Sequence, residues 1–170
     1  LISSGNSVKK YGTLARVEEQ LKQAGVTYTV CANIHENPSK EVVMEAAAVA
    51  KENQCDFIVA LGGGAVLDSA VAVAAMATNP GDLWDYVNGG TGKAQPLVNP
   101  ALPIVTIATS SGTGSEINCW GVISNHETNE KIGFGDPSIV PVLAIVDPEL
   151  MKTVPAKYTA YQGFDALFHN

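Results

Sequence analysis

The stretch that most limits how this chain can fold is residues 56–77. There a short apolar run (DFIVAL) meets three consecutive glycines, Gly62, Gly63 and Gly64, and then an almost wholly apolar segment over 67–77. A run that is apolar at every position, without alternation, reads as a strand covered on both faces, the habit of parallel sheets. A helix that is apolar all round is buried, and glycines at the junction break the strand and open the helix. Buried strand, tight turn and buried helix in that order make up most of a βαβ unit.

The pattern recurs along the chain. Residues 103–108 (PIVTIA) and 142–146 (VLAIV) read as further buried strands. Residues 11–24 carry Leu14, Val17 and Leu21 at helical spacing, and Gly25 closes them. Residues 26–31 alternate apolar residues with threonine and predict a strand. Ser39, in an Asn-Pro-Ser turn, is placed to cap a helix over 41–53. Residues 79–100 are rich in Gly, Pro and Asn and read as a loop excursion. Residues 119–124 and 131–134 suit a hairpin around the polar turn 125–130, and helix is expected from Lys157 onward. The fold class predicted is α/β, a Rossmann-like parallel sheet with helices on both faces. Composition changes near Asp147-Pro148, which divides the chain into residues 1–150 and 151–170; the latter are too few for a second domain.

The sequence is 46% hydrophobic and 16% charged over 170 residues, enough for one core. Its formal net charge of −7 argues against a nucleic-acid partner. No apolar run is long enough to cross a membrane, and no secretory signal opens the chain, which starts without Met and is expected to have been trimmed. Cys31, Cys55 and Cys119 are too widely spaced for a disulfide framework or a zinc ribbon, and are expected to be reduced thiols in the cytoplasm.

Three segments carry chemistry. In LGGGAVLD (61–68), glycines at a strand end let backbone N–H groups approach a pyrophosphate, and the helix N-terminus favours negative charge. Spacing alone leaves open a tight turn that merely needs glycine, since the segment is neither a GxGxxG nor a Walker loop. Asp68, one turn into the helix, suits either dipole complementarity or a polar contact with a cofactor. TSSGTGSE (109–116), directly after another buried strand, packs hydroxyls and glycines that can donate to phosphate or ribose oxygens; it also suits a cap for a following helix. In GFDALFH (163–169), Asp165 and His169 stand four apart, on one helical face, and a carboxylate with an imidazole suits iron(II) or zinc. Two ligands do not complete a metal site, and an ion pair on a helix surface has the same spacing. His35 and His126 read as solvent-facing turn residues.

Taken in order, LGGGAVLD, TSSGTGSE, KIGFGDPSIVPVLAIVDPEL and GFDALFHN resemble the iron-type (group III) alcohol dehydrogenases over essentially the whole chain. The opening LISSGNSVKKYG is most similar to the branch of NADPH-dependent butanol dehydrogenases and aldehyde reductases. The resemblance implies an N-terminal Rossmann-like domain, here without the family's all-helical C-terminal domain, and a metal held by one Asp and three His. It implies a pyrophosphate contact at Gly63, Gly64 and Ala65 with Asp68 nearby, and cofactor contacts from Thr109, Ser110 and Thr113. It also implies Lys131 toward the ribose, Asn37 near the adenosine end, and Asp165 and His169 as the first two ligands of an iron(II) or zinc ion. Ala65 stands where many relatives have Ser, and Ser110-Ser111 where Thr-Ala is commoner.

The turn Gly5-Asn6-Ser7 after the first strand carries no acid to bind a ribose 2′-hydroxyl, and Lys9 and Lys10 follow, so NADP(H) is expected in preference to NAD(H). The activity implied for the full-length enzyme is metal-assisted hydride transfer between a small alcohol or aldehyde and NAD(P), with no turnover expected from these residues alone. A homodimer is implied too. Alternatives are a dehydroquinate-synthase or glycerol-dehydrogenase-like enzyme and a non-catalytic nucleotide-binding module.

Overall fold

The computed structural model describes residues 2–4 and 6–169. Gly5, expected in the cofactor turn, lies outside the described residues. Five parallel strands form one sheet: β1 (Ile2–Ser4), β2 (Cys31–Ile34), β3 (Ile58–Gly62), β4 (Ile104–Ala108) and β7 (Leu143–Ile145), in the order β2-β1-β3-β4-β7. A separate antiparallel hairpin pairs β5 (Trp120–Asn125) with β6 (Glu130–Gly135). The helices are α1 (Ser7–Lys10), α2 (Thr13–Gln23), α3 (Lys40–Glu52), α4 (Gly64–Met76), α5 (Leu83–Tyr86) and α6 (Ala156–Phe168). The α/β, Rossmann-like class expected from the apolar runs is the one found.

β3 shows why its sequence is apolar without a break. Its residues alternate between two cores: Ile58 and Ala60 pack with α3 and α4, whereas Val59 and Leu61 pack with Val8 and Leu14 on the other face. Every residue of β3 is buried. α4 is buried from Val66 to Met76 apart from half-buried Asp68, and packs on β3, β4 and the hairpin strand β5.

β1 sits between β2 and β3, so the chain leaves β1 in one direction and returns on its other side. That reversal is the topological switch point of an open α/β sheet, and ligands bind outside the carboxyl ends of the strands there.

Four expectations need correction. The strand at 142–146, expected to be buried, is the exposed strand β7 at the end of the sheet, with Leu143 53% and Ile145 40% exposed because no layer among the described residues covers them. The strand expected over 26–31 is found at Cys31–Ile34, with Cys31 opposite Ile2 of β1 among the described residues. The helix expected from Leu67 begins at Gly64, so two of the three glycines form its first turn and cap position. No helix follows the hydroxyl-rich loop; turns lead from it straight into β5. The hairpin, the helix near 41–53 and the helix after Lys157 lie where expected, within a residue or two.

Candidate functional site: two loops at the switch point

β3 and β4 are neighbours in register, with Gly62 opposite Ala108, so the two loops that leave their carboxyl ends start side by side. Thr109 donates its N–H to the Gly62 carbonyl (2.9 Å), which ties the loops together at their base. Above that bond the loops touch through positions without side chains. A Cβ on Gly63 would lie 2.8 Å from Ser110 Oγ, and one on Gly64 would lie 2.8 Å from the Thr113 methyl. Glycine is required here by close approach.

Gly63 is the N-cap of α4 with extended backbone (φ −84°, ψ −175°), and no side chain caps the helix. Its carbonyl accepts from the N–H groups of Val66 and Leu67. The N–H groups of Gly64 and Ala65, in the first turn, have no partner inside the helix. Gly63, Gly64 and Ala65 are all half-buried, so the turn is open to a ligand. Free amides, a helix N-terminus and hydroxyls on the facing wall make an anion site fit for a diphosphate.

A cleft of about 560 Å³ opens beside this junction, with Asn6, Ser7, Lys10, Gly63, Thr109 and Ser110 on its walls. Another wall comes from α6, with Tyr158 and Gln162, and from the segment that leads into it. Glu36, two residues past the end of β2, also lines it. A volume of several hundred cubic ångströms suits a small-molecule or cofactor site.

The remaining residues singled out from the sequence are placed as follows. Lys131, on β6, donates from Nζ to Asn37 Oδ1 (2.6 Å); the two are brought together from distant segments, outside the walls of the cleft. Asn37 has a left-handed backbone (φ 52°), a conformation Asn adopts more readily than most residues. Asp68 accepts from Ser115 Oγ (2.7 Å) on one carboxylate oxygen and from the Val122 N–H (3.0 Å) on the other. Burial pushes its carboxyl above the usual range, and the Val122 amide, the Ser115 hydroxyl and Lys131 pull it down by less.

Asp165 and His169 share one face of α6, with Nε2 and Oδ1 3.4 Å apart and side chains 43% and 60% exposed. The face that carries Asp165 touches the hydroxyl-rich loop. Ser111 donates both its N–H (3.1 Å) and its hydroxyl (3.0 Å) to Gln162 Oε1, and a Cβ on Gly112 would stand 2.9 Å from Asp165 Oδ2. Among the described residues no group of three or more His, Cys, Asp or Glu side chains gathers around one point. A catalytic zinc needs three protein ligands and an open position. The described residues thus offer at most two ligands of a metal site, Asp165 and His169.

Sequence reasoning missed four contributors. Gln162 carried a signal, being three residues before Asp165 and so on its helical face. Tyr158 lies a further turn back on the same side. Glu36 had no local signal, and Ser115, although inside the hydroxyl-rich segment, meets Asp68 only through tertiary packing.

The sheet order and the paired loops define a Rossmann-like α/β domain with a ligand crevice at its switch point. The model of the iron-containing alcohol dehydrogenases matches residues 1–148, and the chain belongs to that family of oxidoreductases. It is 42% identical over 169 residues to a probable NADH-dependent butanol dehydrogenase 1 of Bacillus subtilis, covering 99% of this chain and 42% of that protein. It is 32% identical over 173 residues to an NADPH-dependent butanol dehydrogenase of Clostridium saccharobutylicum, covering 99% and 43%. The crystal structure of NADH-dependent butanol dehydrogenase A from Thermotoga maritima superposes with a TM-score of 0.92 at 37% identity, over 99% of this chain and 41% of that one. The chain thus spans less than half the length of these relatives. No helix among the described residues is long and apolar enough to cross a membrane.

Proposed function

We propose that this chain is the dinucleotide-binding part of an alcohol or aldehyde oxidoreductase, and that it seats the diphosphate of NAD(P)(H) between the glycine turn at Gly63, Gly64 and Ala65 and the hydroxyls of Thr109, Ser110 and Thr113. The observation that carries this reading is the contact of the two loops beside the switch point, with free amides at the start of α4. The cleft beside Asn6 and Ser7 takes the adenosine end, and Lys131, held by Asn37, lies toward the ribose. In a protein of the relatives' length, hydride passes between the nicotinamide and the carbinol carbon: alcohol and NAD(P)+ give aldehyde, NAD(P)H and a proton. These residues bind and orient the cofactor. Residues 1–150 form the binding domain, and residues 151–170, in which α6 has no buried residue, start the second. Asp165 and His169 contribute to a metal site that other residues complete. The family resemblance supports a homodimer.

NADP(H) is preferred over NAD(H), because Lys10 lies on the cleft wall and no acid stands at Asn6 or Ser7. One observation favours the opposite choice. Glu36 lines the same cleft at the end of the second strand, where an acid binds the ribose 2′-hydroxyl in NAD-selective folds. Fluorescence titrations with NADPH and NADH separate the two. NADPH binding about tenfold tighter supports the preference, and NADH binding about tenfold tighter, lost in Glu36→Gln, overturns it; each factor of ten is about 1.4 kcal/mol.

A further inference from the structure

Asp68 belongs to α4, yet both of its carboxylate oxygens are spent on other elements. Oδ1 takes the hydroxyl of Ser115, at the end of the hydroxyl-rich loop, and Oδ2 takes the backbone N–H of Val122, in the middle of β5. Ser115 is buried and Asp68 half-buried, so the bond between their side chains is shielded from water, whereas the bond to the Val122 N–H lies at the surface. Ser115 in turn donates its own N–H to the Thr113 hydroxyl oxygen (3.2 Å), which continues the chain of bonds to the side chain that touches Gly64. Val122 pairs across the hairpin with Gly133, two residues from Lys131, on the strand that carries Lys131 to Asn37. One carboxylate therefore ties the helix that starts at the glycine turn to the facing loop and to the hairpin.

We propose that Asp68 is a positioning residue: it sets the spacing of the glycine turn, the hydroxyl-rich loop and the Lys131 hairpin, and acts on the cofactor through them rather than by touching it. The proposal rests on the reading that the diphosphate lies between the two loops. It differs from a role for the Asp68 charge, whether toward the cofactor or toward Lys131, in what asparagine does at that position. In Asp68→Asn the side-chain amide keeps one acceptor for the Val122 N–H and turns its NH2 to Ser115, whose hydroxyl oxygen can accept as readily as its hydrogen can donate. Shape and both bonds survive while the charge is lost. Alanine loses both bonds, which leaves the buried Ser115 hydroxyl unpaired and opens the Val122 amide to exchange.

The test uses Asp68→Asn, Asp68→Ala, Ser115→Ala and the double variant Asp68→Ala/Ser115→Ala in the full 170-residue chain. Two readouts are taken: hydrogen exchange at the Val122 amide without ligand, and NADPH affinity by fluorescence. Asp68→Ala is expected to speed exchange at Val122 and to weaken NADPH about tenfold or more, with Asp68→Asn within about threefold of the parent on both. Ser115→Ala falls between, and the double variant is no worse than Asp68→Ala alone, as expected for partners in one network. Asparagine binding NADPH as poorly as alanine, with Val122 still protected, overturns the positioning role in favour of a charge. Val122 exchange unchanged in Asp68→Ala overturns it as well. A parent chain that does not bind NADPH overturns instead the functional reading beneath it. If Asp68→Ala does not fold, Asp68→Asn and Ser115→Ala still decide.

Discussion

β3 and α6 are both rich in apolar residues, yet their surroundings could hardly differ more. Every residue of β3 is buried between two cores. α6 buries none of its residues, and Tyr158, Tyr161, Phe164, Leu167 and Phe168 are 55% to 85% exposed. α6 is instead bonded to the hydroxyl-rich loop by the amide side chain of Gln162. Apolar content alone therefore does not locate the core; what decides is whether another layer covers the residue. Stability resides in the sheet and its two helical layers, while α6 adds chemistry to the rim of the site and little to the fold.

The sharpest way to break this contrast is to cut a hole in each region. Leu61→Ala removes a fully buried side chain from β3 and should cost about 2–5 kcal/mol in a denaturant titration. A loss below about 1 kcal/mol would mean that β3 is not the structural centre. Next comes Gly64→Val, whose Cβ would press on Thr113. It should cost about 1–3 kcal/mol from overpacking and should also abolish NADPH binding measured by fluorescence. Retained binding would separate the glycine turn from the ligand.

A smaller effect is expected from acid. Glu130 accepts from the Thr91 amide (2.8 Å) and hydroxyl (2.6 Å), the Thr128 hydroxyl (2.7 Å) and the Trp84 indole (2.9 Å), and so fastens the loop after α5 to β6. Those bonds, from Thr91 first and then Thr128 and Trp84, lower its carboxyl from 4.5 to about 2. A carboxyl that is more acidic in the folded than in the unfolded chain stabilises the fold above its unfolded value, and that contribution fades as pH falls. Thermal melts should show Glu130→Gln below the parent at pH 7, with the gap closing between pH 4.5 and 2. A gap independent of pH would contradict this. The smallest effect is expected on α6, where Leu167→Ala should stay within about 0.5 kcal/mol of the parent in the same titration. A large loss there would show that the helix is covered in solution.

Much of the fold was legible in the sequence because parallel strands buried on both faces leave continuous apolar runs, as at residues 58–62 and 104–108. β2 was placed too early because an edge strand is defined by its partner: Val26, Tyr28 and Val30 alternate like a strand, but among the described residues the pairing with β1 runs from Cys31 to Ile34. The two loops were legible from glycines and hydroxyls at strand ends. The bonds that position them were not. Asp68 and Ser115 are 47 residues apart, and Lys131 and Asn37 are 94 apart. Each looks locally like an ordinary polar surface residue, and only tertiary packing, of the hydroxyl-rich loop on α4 and of the hairpin on the turn after β2, gives it a partner.

The central claim is that the diphosphate of a nicotinamide dinucleotide rests on the free amides at the start of α4. At 17.7 kDa the chain is within reach of amide NMR, and the direct measurement is a titration of the nitrogen-15-labelled protein with NADPH. The largest shifts should fall on the amides of Gly63, Gly64 and Ala65 and on Thr109 to Thr113, with inorganic pyrophosphate moving the same set more weakly. Shifts confined to other parts of the sheet, or none at either loop, would contradict the account.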